Sequence, residues 1–447
     1  MKRVEQTVES PVAEDVARSV VRVAVDAPQH SGLTGPLDYA SEQVLASGTL
    51  VRVPLGKREL LGIVWPGDAP QPEVDLRPVA AVFHALPPLA ADWCRLLDFA
   101  AGYYQRSVGE LASAVLPPQL RELSPDQLAA RLRKLDRKAA QPAAAAPVKP
   151  ALAPEQAQAV ARLEAQMNEA APKPTLLFGV TGSGKTEVYL RAAEAALAAG
   201  RQVLVLVPEI NLTPQLEARF TERFAALLPQ PLAIVSLHSA LTPAQRTQNW
   251  LAAHLGRARL VLGTRLAVFA SLPDLGLVVV DEEHDPSYKQ QDGARYSARD
   301  LAVWRAHDLK IPVVLGSATP SLESWQHAES GRYERLTLAA RIGGGALPRV
   351  RLFDMKSLPT TAGVTTALTA PLLAELKARL ARGEQSLVFL NRRGYAPVLH
   401  CGECQWKSDC PHCSAWRVFH KRDRTLRCHH CGFTERVPSA CPNCGNH

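Results

Sequence analysis

The sequence predicts an α/β protein: a parallel-sheet lobe with a phosphate-binding loop, preceded by a small β domain and followed by a cysteine-rich module. Three observations carry that expectation. Between Leu152 and about Leu390, short apolar runs (TLLFG, QVLVLVP, LAIVSL, RLVLG, LGLVVVDEE, PVVLGSAT, SLVFL) alternate with helical segments, the pattern of strands covered on both faces. The first run leads into Gly179-Val180-Thr181-Gly182-Ser183-Gly184-Lys185-Thr186, which fits G-x-x-x-x-G-K-[ST]. Every cysteine except Cys94 belongs to one of four C-x-x-C pairs after residue 400.

In chain order, residues 1–18 carry Glu5, Glu9, Glu14 and Asp15 and no apolar segment of a secretion signal, and read as a disordered tail. Residues 19–88 alternate apolar positions in VVRVAV, TLVRVPLG and LLGIVW, punctuated by Pro28, Gly32, Gly35 and Pro36, which predicts a mainly antiparallel β domain. Residues 89–121 have helical periodicity through WCRLLDFAAGYY and close at Pro117-Pro118. Residues 122–150 are charged and then rich in Ala and Pro, and read as a linker. The lobe is assigned to 151–383, the start of a second lobe to 384–400 and the cysteine module to 401–447.

Composition sets the class. The chain has 447 residues, 47% apolar and 21% charged, a globular balance and not that of a disordered polymer. Lys and Arg number 51 against 43 Asp and Glu, a formal net charge of +8 that favours a polyanionic partner. No run reaches the 18 or so apolar residues of a membrane span, so a soluble cytoplasmic protein without a membrane role is expected.

The glycine-rich loop lies between a strand and a helix, the context its chemistry requires. Backbone N–H groups and the helix N-terminus cradle phosphate, Lys185 reaches the outer phosphate oxygens and Thr186 ligates Mg²⁺. The run LGLVVVDEEH delivers Asp281 and Glu282 at a strand tip. There Asp281 can hold the metal while Glu282 orients or deprotonates an attacking water, with His284 alongside.

The cysteine pairs Cys401/Cys404, Cys410/Cys413, Cys428/Cys431 and Cys441/Cys444 each supply half a tetrahedral site. Joining the middle pairs gives a C-x₂-C-x₁₄-C-x₂-C ribbon and leaves the outer pairs to form the second site. Two Zn²⁺ in nested Cys₄ sites are expected.

LAPEQAQAV, GVTGSGKTEVYL, LVPEINLTPQ, LHSALTPAQR, GTRLAVFASLPDLGLVVVDEEHDPSYKQQDGARYSARDLAVWRA, LGSATPSLES and LVFLNRRGYAPVLHC together resemble the PriA (primosomal protein N-prime) family of superfamily 2 replication-restart helicases. The resemblance implies a RecA-like ATPase lobe. In it Gln156 reads adenine, Gly179, Gly182, Ser183, Gly184, Lys185 and Thr186 bind ATP and Mg²⁺, and Ser317, Ala318 and Thr319 couple hydrolysis to DNA movement. It implies a single-strand-binding aromatic-rich loop, Ser287–Arg299, in which Tyr288 and Tyr296 stand among Lys289, Arg295 and Arg299, with Arg265 nearby. It also implies a pocket for the 3′ end of the leading strand lined by Asp38, Tyr39, Gly56 and Arg77. The implied activity is 3′-to-5′ unwinding at stalled or abandoned forks and the start of primosome assembly. The implied partners are DNA, the single-stranded-DNA-binding protein and other primosome proteins. Two departures stand out: the winged-helix domain is expected to be shortened or absent, leaving residues 89–121 as its remnant, and the second lobe is expected to be incomplete. The alternative expectation is therefore a fork-binding ATPase fragment with impaired turnover.

Overall fold

The computed structural model describes residues 19–27, 35–67, 75–137, 148–208, 214–342, 349–353, 369–389, 398–413, 415–429 and 431–446. The chain divides into two compact units, Met1–Ala346 and Leu347–His447. The expected tail 1–18 lies outside the described residues.

The first unit begins with β1 (Ser19–Val25), β2 (Leu37–Ser41), β3 (Leu50–Leu55), β4 (Arg58–Val64) and β5 (Ala81–Val82), in the order β2-β1-β4-β3-β5. Its pairings are antiparallel. The segment before β5 returns along β2: Ala40 N donates to Arg77 O (3.0 Å) and Val79 N to Ala40 O (2.9 Å). The sheet thereby curls into a small barrel. Because successive strand residues face opposite sides, Val21, Val23, Val51, Val53, Val64 and Tyr39 fill the inside, while Ala24, Leu50, Ile63 and Trp65 face outward.

Helices α1 (Ala91–Tyr103), α2 (Val108–Val115) and α3 (Pro125–Asp136) cover that outer face. The third corrects the linker expectation for 122–150. Ser124 and Gln127 close a reciprocal capping box, Pro125 sets the first turn, and Leu128, Leu132 and Leu135 form a buried stripe. A charged composition concealed a three-residue apolar face. Residues 138–147 of the expected linker lie outside the described residues.

The lobe runs through α4 (Pro154–Gln166), β6 (Thr175–Gly179), α5 (Lys185–Ala198), β7 (Gln202–Leu206), α6 (Pro214–Phe224), β8 (Ile234–Leu237), α7 (Pro243–His254), β9 (Leu260–Gly263), β10 (Leu275–Val280), α8 (Ala298–Leu309), β11 (Val313–Ser317), α9 (Leu322–Glu329) and β12 (Glu334–Leu338). All pairings in its seven-stranded sheet are parallel, in the order β12-β6-β11-β10-β7-β9-β8. The expected parallel sheet is thus present, with β12 added at one edge, where half-exposed alternation hid it from an apolar-run reading. Helices α4, α5 and α6 pack on one face. On the other face α7 and α8 share a continuous core with α1–α3 and the barrel. Trp93 Nε1 donates to Phe269 O (2.8 Å) across this junction, and Phe99 stacks on Trp304 at 4.4 Å.

The second unit contains α10 (Ala370–Ala381) and an antiparallel sheet of β13 (Arg417–His420), β14 (Thr425–Cys428) and β15 (Thr434–Arg436). The run SLVFL, read as a strand, forms none over its described residues: Ser386–Phe389 lack regular structure, and Leu387 and Phe389 are exposed. Apolar composition alone does not make a strand when no neighbouring strand supplies backbone partners.

Candidate active site

The phosphate loop joins β6 to α5 with the geometry its glycines permit. Gly182 (φ 82°) and Gly184 (φ 78°) occupy the left-handed region. A Cβ on Gly179 would come within 2.6 Å of Ser183 Oγ, so the loop closes tightly on itself. The Ser183 hydroxyl is buried and has no hydrogen-bond partner among the described residues. Lys185 Nζ is folded back onto Gly179 O at 2.9 Å. Gln156, expected to read adenine, is buried with both ends of its amide engaged: Oε1 accepts from Ala153 N (2.9 Å) and Nε2 donates to Ser183 O (3.0 Å). In this arrangement it braces the loop.

Strand β11 lies between β6 and β10, so the carboxyl ends of three adjacent strands bring the loop, Ser317-Ala318-Thr319 and Asp281-Glu282-Glu283-His284 together. Burial raises the Asp281 carboxyl above its ordinary range, reinforced by the Glu282 charge and opposed by the Tyr189 hydrogen bond and by Lys185. Tyr189 Oη donates to Asp281 Oδ1 (3.1 Å), and Tyr288 Oη donates to Asp281 O (2.6 Å). Glu282 holds a left-handed backbone (φ 44°), a strained state for a residue with a side chain. His284 Nδ1 lies 2.8 Å from Ser317 Oγ and its Nε2 lies 3.4 Å from Thr319 Oγ1. The acidic motif and the Ser-Ala-Thr motif are therefore directly joined.

Glu283 escaped the sequence reading. Its fully buried carboxylate accepts from Ser321 N (2.7 Å), Ser321 Oγ (3.0 Å), Ser324 Oγ (2.8 Å) and Arg299 Nη1 (3.2 Å). The one available signal was a second glutamate in a run whose chemistry needs only one.

The aromatic-rich loop departs from expectation. Tyr288 and Tyr296 are buried, 2% and 5% exposed, and Tyr296 packs edge-on against Phe269. Both rings are thus almost wholly withdrawn from solvent, and the Tyr288 hydroxyl is turned to a main-chain acceptor within the lobe. Arg299 is committed to Glu283 and Asp300. Arg265 Nη1 donates to Ser287 O (2.9 Å) and Lys289 O (3.2 Å) and so holds the loop's shape. Lys289 and Arg295 are exposed, the former over the Tyr104 ring. A cavity of about 510 Å³ opens between α2 and the ends of β8 and β9, lined by Arg246, Trp250, Arg265 and Tyr296 among others.

On the barrel, Asp38 and Tyr39 face opposite sides. Tyr39 belongs to the interior, its hydroxyl donating to Pro54 O (3.1 Å), so its ring does not line an open pocket. Arg77 Nη1 donates to Gly56 O (2.9 Å). Asp38 Oδ1 forms an ion pair with Arg22 Nε at 3.9 Å, beyond hydrogen-bond reach, and is buried without a hydrogen-bond partner among the described residues.

The eight cysteines of the second unit gather as Cys401/Cys404/Cys441/Cys444 and Cys410/Cys413/Cys428/Cys431, the nested grouping. Sulfur pairs lie 3.7 Å (Cys401–Cys444), 3.6 Å (Cys404–Cys441), 3.4 Å (Cys410–Cys431) and 3.5 Å (Cys413–Cys428) apart. A regular tetrahedron with bonds of about 2.3 Å has an edge of about 3.8 Å, so both clusters are shaped for a tetrahedral metal.

A phosphate loop, an acidic strand tip and a Ser-Ala-Thr segment on adjacent strands of a parallel sheet make a P-loop nucleotide-binding lobe, and a DEAD/DEAH box helicase family model matches residues 153–327. A model described as a 3'DNA-binding domain (3'BD) matches residues 22–117, a span that takes in α1 and α2. The model of the PriA DNA helicase Cys-rich region (CRR) domain matches residues 410–436. The chain is a relative of the replication restart protein PriA. It is 49% identical to that of Haemophilus influenzae over 271 residues, which are 61% of this chain and 36% of that protein. It is 42% identical to that of Bacillus subtilis over 274 residues, 61% and 33% respectively. It is 38% identical to that of Rickettsia felis over 411 residues, 92% and 60%. The chain thus spans between a third and three-fifths of the length of these relatives. No helix among the described residues is long and apolar enough to cross a membrane.

Proposed function

We propose that this chain is the nucleotide-binding and DNA-engaging part of an ATP-dependent DNA helicase that restarts replication at stalled or abandoned forks, moving 3′ to 5′. One observation carries the reading: on adjacent strands the phosphate loop, the acidic motif and the Ser-Ala-Thr segment converge, and His284 bonds Ser317. A shift of one motif can pass through this contact to the other, which is what converting hydrolysis into motion requires.

In this reading Lys185 leaves Gly179 O to reach the outer phosphates, and Ser183 Oγ, buried and unpartnered, meets a phosphate oxygen. Thr186 and Asp281 hold Mg²⁺, which neutralises charge on the phosphates. Glu282 orients the attacking water, while His284 reports its position to Ser317 and Thr319. DNA contacts fall to Lys289 and Arg295 on the exposed loop and to the groups around the α2 cavity. Tyr288 and Tyr296 support that surface from beneath. Asp38, whose Oδ1 is held by Arg22 only at ion-pair distance, accepts from a 3′-hydroxyl at the end of a leading strand, with Gly56 and Arg77 at the barrel rim. The cysteine clusters each hold one Zn²⁺ and give a short sheet the stability its small core lacks. Partners are forked DNA, the single-stranded-DNA-binding protein and primosome proteins, in the cytoplasm.

The test is Lys185→Ala, read in binding of a fluorescent ATP analogue with Mg²⁺ and in DNA-stimulated hydrolysis. Both should fall at least tenfold with fork binding retained. A wild-type chain that binds no nucleotide would end this proposal.

A further inference from the structure

The best-placed group without a role in the proposal so far is a phenol. Tyr189 lies four residues after Lys185 on α5, so both project from one helix face. Between α5 and Asp281 stands β11, the strand separating β6 from β10. The Tyr189 ring crosses β11 at Gly316: a Cβ there would come 1.5 Å from Tyr189 Oη and 2.6 Å from Cζ. Only an absent side chain at residue 316 leaves that passage open. Beyond it Oη reaches Asp281 Oδ1 at 3.1 Å, its one hydrogen bond among the described residues. The Tyr189 side chain is 2% exposed.

We infer that Tyr189 is a positioning residue for the metal-holding carboxylate: passing through the gap at Gly316, it fixes the orientation of Asp281 from the same helix that carries Lys185. This rests on the nucleotide-site reading above and adds to it a mechanical link between the phosphate loop and the acidic strand. With one lone pair of Oδ1 taken by the phenol, Oδ2 is the less encumbered oxygen for a cation. The main-chain oxygen of the same residue is held by Tyr288 from the other side. Two buried phenols thus grip one aspartate, so its carboxylate is preset before any ligand arrives. Partners of this kind, one bond out from a metal ligand, typically govern affinity by about 10- to 100-fold.

The experiment compares wild type with Tyr189→Phe, which removes one oxygen atom and keeps the ring. A fluorescent ATP analogue is titrated first in EDTA and then at fixed nucleotide against free Mg²⁺. The expected result is unchanged affinity in EDTA and a half-saturating Mg²⁺ concentration raised about tenfold or more. Gly316→Ala should give the same shift by displacing the phenol. If that variant unfolds, Gly316→Ala combined with Tyr189→Leu should restore the thermal transition and keep the Mg²⁺ shift. Superimposable Mg²⁺ curves for wild type and Tyr189→Phe would overturn the inference while leaving the nucleotide site standing. A wild-type chain whose nucleotide binding is absent or indifferent to Mg²⁺ would overturn the underlying reading, and this inference with it.

Discussion

Replacing Glu283 by alanine should destabilise the lobe by about 3–4 kcal/mol, and the figure follows from what the carboxylate leaves behind. Its four donors differ in how easily they are satisfied elsewhere. The Ser321 and Ser324 hydroxyls can rotate toward other acceptors, and Ser321 Oγ already receives Arg299 Nη1 (2.9 Å) and Ser324 N (3.3 Å). The Ser321 N–H cannot rotate; left unpaired at the start of α9 it costs about 1–3 kcal/mol. Breaking a buried ion pair by removing one partner usually costs about 3–5 kcal/mol. Arg299 keeps Asp300 (2.8 Å) and its side chain is 20% exposed, which places the loss at the lower end. Glu283→Gln preserves shape and one acceptor and should cost about half as much. Urea unfolding of the intact chain measures both, and in thermal unfolding of a lobe of this size the alanine variant should melt about 6–16 °C lower. An alanine variant within about 1 kcal/mol of wild type would refute the view that Glu283 ties the acidic motif to α9 and α8.

Metal analysis should find two zinc equivalents per chain, and Cys428→Ser should retain one, because the two clusters share no ligand. One equivalent in the wild type would defeat the paired-site assignment. Tyr288→Phe keeps the buried ring but deletes the bond to Asp281 O, so it should depress DNA-stimulated hydrolysis more than basal hydrolysis. Equal stimulation in variant and wild type at saturating DNA would show that the loop does not act through Asp281.

What could be read directly was what is contiguous. The phosphate loop needs glycine at left-handed positions within one turn, and Gly182 and Gly184 stand there in eight consecutive residues. Cysteine spacing likewise limits how half-sites combine, and the nested pairing followed. Long-range packing was out of reach. Tyr288, Tyr296, Arg265 and Arg299 have the composition of a nucleic-acid surface, yet their environments are set by Asp281, Phe269, the Ser287 and Lys289 carbonyls and Glu283, most of them on other elements. Tyr39 likewise looked like a pocket wall and proved to be barrel interior, because the return of residues 77–79 along β2 decides which face is inside.

The sequence by itself determined the chemistry available: a phosphate cradle, an acidic strand tip, eight thiols in pairs, and a parallel-sheet pattern to display the first two at strand ends. Those properties depend on residue type and short spacing, which the chain order states outright. The tertiary structure alone decided which groups touch. Strand order set β11 between β6 and β10, and so made Gly316 the gap through which Tyr189 reaches Asp281 and brought Ser317 beside His284. Neighbour relations across a sheet depend on crossover topology and on which side chains exclude water together, and neither is a property of any local stretch of sequence.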